Sequence, residues 1–61
     1  MQKYYVIRTQ DDGVLATLEC KIAARDYMQS EYIDDCSERG EYASDYYVTD
    51  YDFNVIYTTK G

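Results

Sequence analysis

Tyr4-Tyr5-Val6-Ile7-Arg8-Thr9-Gln10-Asp11-Asp12-Gly13-Val14-Leu15-Ala16-Thr17-Leu18-Glu19-Cys20 is the stretch that decides the fold. Residues 4–9 are β-branched and aromatic, which suits a pleated, half-buried strand. Asp12-Gly13 follows, a pair favoured where a tight turn needs positive φ. Residues 14–20 then alternate, with Val14, Ala16, Leu18 and Cys20 on one face and Leu15, Thr17 and Glu19 on the other. Two such runs around Asp-Gly predict a β-hairpin.

From Lys21 the period lengthens. Ala24, Met28, Tyr32 and Cys36 form an i, i+4 row in helix-forming sequence, so an amphipathic helix is expected. No Ser, Thr, Asp or Asn cap stands before Lys21, so its start is poorly marked. Its end is clear, because Arg39 suits the negative helix terminus and Gly40 suits the C′ position.

Residues 41–45 read as a connection. Beyond them Tyr47, Thr49, Tyr51, Phe53, Val55 and Tyr57 alternate with Val48, Asp50, Asp52, Asn54 and Ile56. That period of two predicts one long strand over residues 46–57, with a second hairpin turning at Asp50-Tyr51-Asp52 as the alternative. The expectation is a single α+β domain over residues 1–61, a ββαβ unit with one helix across one face of an antiparallel sheet.

A chain of 61 residues has a thin core, and nine tyrosines and one phenylalanine supply much of its bulk. So many tyrosines cannot all be internal, and exposed tyrosine is a common interface residue. No long apolar run or export signal is present, so a soluble cytoplasmic protein of a bacterial cell is expected, with Cys20 and Cys36 as free, partly buried thiols.

The formal charge of −6 is uneven: residues 1–25 carry a net +1 and residues 26–61 a net −7. Such a surface repels nucleic acid and anionic membranes and favours basic partners.

Catalysis is poorly supported. There is no histidine, so no Ser-His or Cys-His pair can form. Cys20 and Cys36 lack CxxC spacing. Asp50-Tyr51-Asp52-Phe53-Asn54 resembles the start of an EF-hand loop, but Val55 stands where glycine is needed and Gly61 where glutamate is needed. No enzyme activity, metal or cofactor is expected.

The acids support a different reading. Asp34, Asp35 and Glu38 crowd a helix C-terminus, where negative charge is locally unfavourable. Asp50 and Asp52, if on one strand face, lie ~6.6–7 Å apart, and Glu41 and Asp45 lie between these groups. Carboxylates at such intervals, interleaved with tyrosines, can imitate a phosphate backbone and enter a channel lined by arginine and lysine. The expected contact residues are Asp34, Asp35, Glu38, Glu41, Asp45, Asp50 and Asp52, with Tyr46 and Tyr51 beside them.

In size, charge and element order the stretch from Tyr4 to Tyr57 resembles the small acidic inhibitors of bacteriophages and mobile elements, of the anti-CRISPR or DNA-mimic type. The resemblance implies a non-catalytic inhibitor, foremost an anti-CRISPR protein, that occupies the basic surface of a CRISPR effector, restriction enzyme or RNA polymerase. The alternative is a structural or regulatory adaptor that pairs through a sheet edge or forms a homodimer.

Overall fold

The computed structural model describes residues 2–59. The first hairpin joins β1 (Tyr4–Arg8) to β2 (Gly13–Leu18) in antiparallel register, with Tyr4 opposite Leu18 and Arg8 opposite Gly13. Its turn is built by the Asp11 carboxylate, which accepts the Gly13 N–H at 3.1 Å and pairs with Arg8 at 3.0 Å. The positive φ falls on Asp12, at 54°, and not on Gly13. Aspartate tolerates that left-handed conformation because its short polar side chain bonds locally.

The alternation expected along residues 14–20 is interrupted by a bulge. Val6 pairs with Ala16 and Ile7 with Val14, leaving Leu15 as the extra residue. Leu15 and Ala16 therefore both pack against the core, while Val14 turns to the other face.

The helix α1 (Lys21–Arg39) begins without a side-chain cap, as its sequence implies. It ends at Gly40, whose N–H bonds to the Cys36 carbonyl and whose φ of 60° with ψ of −123° is open to glycine alone. A single 3₁₀ turn, Gly40–Tyr42, leads into β3 (Tyr46–Thr49).

The single long strand expected over residues 46–57 is corrected: β3 ends at Thr49, and β4 (Val55–Thr58) returns antiparallel to it. The chain instead takes the alternative, a second hairpin turning over residues 50–54, and the period of two runs on through it because the loop has an odd number of residues. Thr49 and Val55 therefore face the same way, as they would in one straight strand. A bulge at Ile56 then moves Tyr57 opposite Val48, on the helix face.

The sheet has the order β2-β1-β3-β4, and α1 packs across β2, β1 and β3 on one face. The architecture is α+β, with the order β-β-α-β-β. Val6, Ala24, Met28, Tyr46 and Val48 form the buried core, ringed by half-buried residues such as Tyr4, Leu18, Tyr32 and Tyr57. Among the described residues both thiols are free, and Cys36 is half-buried while Cys20 is exposed, against the expectation for the latter.

Candidate partner interface

The chain path decides which acids can act together. Strand β1 and the returning β3 place Arg8 beside Tyr46 at one end of the sheet and Tyr5 beside Thr49 at the other. Helix α1 starts near the Tyr5 end and finishes near the Arg8 end, where Arg39 donates to Gln10 at 3.1 Å. Asp34, Asp35, Glu38, Glu41 and Asp45 accordingly gather at one end, and Asp50 and Asp52 lie at the other. Strand β3 alone separates the two groups by ~15 Å.

Folding also uses some of these groups. Asp35 is only 9% exposed, and its Oδ2 accepts the Ser44 N–H at 2.9 Å and the Tyr46 hydroxyl at 3.1 Å. Its Oδ1 pairs with Arg39 Nε at 3.2 Å. The Ser44 N–H above all, then the Tyr46 phenol and the Arg39 charge, hold the Asp35 carboxyl below the usual carboxylate range. Tyr46 is 3% exposed and stacks edge-on against Tyr32, and burial followed by the Asp35 bond raises its phenol above the ordinary range. The expectation that Asp35 and Tyr46 are surface contacts is thus corrected. They are a buried pair that fastens the helix to β3.

Asp50 is corrected in the same way. It caps the β3–β4 turn, accepting the backbone N–H of Asp52 and of Asn54 at 2.9 Å each, and the Asn54 contacts lead in holding its carboxyl low. It sits in a turn and not on a strand face, so the regular spacing expected of Asp50 and Asp52 is absent. Asp45 is half-buried, and its carbonyl is held by the Thr9 N–H at 3.0 Å and hydroxyl at 2.8 Å.

Asp34, Glu38, Glu41, Asp52 and Tyr51 remain exposed. Asp34 and Glu38 are one helical turn apart, and with Glu31 they line a shallow depression of ≈ 230 Å³. The arginines that line it are already paired, Arg8 with Asp11 and Arg39 with Asp35 of the same depression. Among the described residues no cation pairs with Asp34, Glu38 or Glu41.

A second surface was not anticipated. The sheet face opposite α1 carries Tyr5 and Ile7 of β1, flanked in register by Val14, Tyr47, Thr49 and Val55. Phe53 stacks on Tyr5 with ring centroids 5.0 Å apart and planes at 14°. Tyr51 stands 6.4 Å from the same Tyr5 ring. Phe53 reaches this position with φ at 64°, a conformation a bulky side chain rarely adopts. The signal lay in β1, where Tyr4-Tyr5-Val6-Ile7 is apolar on both faces although one helix can cover only one of them.

Among the described residues no group of three or more His, Cys, Asp or Glu side chains is placed to hold a metal ion, and no helix is long and apolar enough to cross a membrane. Comparisons with protein-family models, curated proteins and solved structures find no match for this chain.

Proposed function

We propose that this protein is a non-catalytic inhibitor that docks its acidic end on the basic surface of a nucleic-acid-handling protein, foremost a CRISPR effector. The carrying observation is the set Asp34, Glu38 and Glu41. These three acids are exposed at one end of the molecule and, among the described residues, pair with no cation, whereas Asp11, Asp35 and Asp50 have been consumed by the fold. An acidic stripe at a helix C-terminus opposes the helix dipole, and like charges one turn apart repel by about 0.2–0.5 kcal/mol. The stripe therefore does nothing for the fold, which supports its service to a partner. Opposite charge on that partner steers encounter and aligns the complex.

The reading is narrower than charge mimicry over the whole acidic half. Asp52 and Tyr51 at the far end belong to a different contact surface, and a rigid channel would have to reach ~15 Å to engage both. The test is charge reversal restricted to groups with no structural task. The D34K/E38K variant should lose binding to the basic partner while its thermal stability equals or slightly exceeds that of the parent. Undiminished binding by this variant would refute the proposal.

A further inference from the structure

We propose that the uncovered sheet face is a homodimer interface, on which a second copy of this chain packs sheet against sheet. This inference stands apart from the acidic docking end, which lies on the helix side.

Area supports it first. Val14, Tyr51, Phe53 and Val55 are exposed by 52, 60, 63 and 58%, respectively. With ~150–250 Å² for a whole aromatic side chain, these residues present on the order of 400–500 Å² of surface. From these four residues alone two copies would bury roughly 800–1,000 Å² in all, close to the ~1,000 Å² that a specific interface should clear.

Charge supports it second. The strand residues that the register places on this face are neutral, in a chain of net charge −6, and the one unpaired acid beside it among the described residues is Asp52, in the loop that supplies Tyr51 and Phe53. A neutral face can meet its own copy without opposing charges. Packed this way, with sheets ~10 Å apart and a helix ~10 Å across outside each, the acidic helices stand ~30 Å apart. That is several times the Debye length of ~8–10 Å near physiological salt.

The edges argue for the same arrangement. Both edge strands, β2 and β4, carry a bulge, and bulged, short edges resist pairing with another chain. Association is thereby directed from the edge to the face. Two residues of the face form a floor already: Ile7 is 4% and Thr49 1% exposed, under walls made by taller neighbours. Aromatic walls around a filled floor suit interdigitation with an identical face.

Sedimentation equilibrium on the purified chain, from micromolar to millimolar concentration, tests the proposal. The expected result is a reversible dimer that tightens as salt is raised, since salt screens the like charge of the two copies. Docking of the acidic end on a basic partner weakens with salt, so the failure of either proposal is recognisable by itself. Val14→Lys and Val55→Lys alter exposed positions and should raise the dimer Kd by ~10-fold or more with the circular dichroism spectrum unchanged. Ile33→Lys, on the exposed side of α1, should leave Kd unchanged. As a measurement independent of any variant, dilution of the unaltered chain should move the NMR signals of Val14, Phe53 and Val55 and spare those of the helix. A monomer at the highest concentration, or equal weakening by Ile33→Lys, would overturn the proposal.

Discussion

The Tyr46 hydroxyl donates a 3.1 Å hydrogen bond to Asp35 Oδ2, joining the first residue of β3 to the inner face of α1. The same oxygen takes the Ser44 N–H, so one carboxylate holds both the helix and the segment that leads into the strand. A hydrogen bond to a charged group contributes about 1.5–3 kcal/mol. Tyr46→Phe should lower stability by that amount, with a Tm loss of about 4–8 °C per kcal/mol in a domain of this size. Thermal unfolding followed by circular dichroism measures it. Asp35→Lys should fail to fold, because it buries a cation against Arg39 and strands both donors. A folded Asp35→Lys protein would contradict the assignment.

Stability should depend on pH at both extremes and little between. The carboxyls of Asp35, Asp11 and Asp50 are depressed in the folded chain, chiefly by the Ser44 N–H, by Arg8 and by the Asn54 N–H, respectively. A depressed carboxyl stabilises the fold above its unfolded pKa of about 3.9, and that stability is lost as pH falls through the folded value. Tyr46 is raised by burial and by Asp35, so its contribution is present below about pH 10 and lost as pH rises through its folded value. The chain has no histidine, the side chain whose ordinary pKa lies nearest neutrality. Melting curves from acid to alkali should show a plateau, and Asp35→Asn should flatten the acid limb specifically. An unchanged acid limb in that variant would count against the buried carboxylate.

The hairpin, the helix and its Gly40 stop were legible because each rests on local chemistry: Asp-Gly, an i, i+4 apolar row, and a residue free of Cβ. The β3–β4 turn was legible only as an alternative to one long strand. A five-residue loop preserves the parity of alternation, and the turn is made by the Asp50 carboxylate without glycine or proline. The acids divide in the same manner. Composition located the charge in residues 26–61, but whether an aspartate turns inward depends on distant partners: Asp34 and Asp35 are neighbours in sequence, and only Asp35 meets Tyr46. The uncovered face is a consequence of having one helix for two apolar sheet faces.

Thr49 offers a gain in stability. Its hydroxyl is buried and has no hydrogen-bond partner among the described residues. An uncompensated buried hydroxyl costs about 1–3 kcal/mol in proteins. Thr49→Val keeps the shape and removes that cost, so the variant should be more stable by roughly 1 kcal/mol. A loss of stability in denaturant titration would mean that the hydroxyl is paired.

Phe53 sets two terms against each other. Its positive φ costs on the order of 1–3 kcal/mol, and its stack on Tyr5 returns about 0.5–1.5 kcal/mol. Phe53→Gly relieves the first and loses the second, while glycine loosens the unfolded chain by a further ~0.4–1 kcal/mol. The variant should therefore lie within about 2 kcal/mol of the parent. The stack shows in a cycle with Tyr5→Leu, where coupling of about 0.5–1.5 kcal/mol is expected. Strict additivity would remove the stack as the reason Phe53 is held in a strained turn.

Docking of the acidic end on a basic nucleic-acid-binding protein, as proposed, is read by capture from nuclease-treated bacterial lysate at low and high salt. The tagged chain should retain a basic nucleic-acid-binding complex at low ionic strength and release it at high ionic strength, and the D34K/E38K variant should retain none. A partner held equally at high salt, or recovery of this chain alone, would contradict the claim.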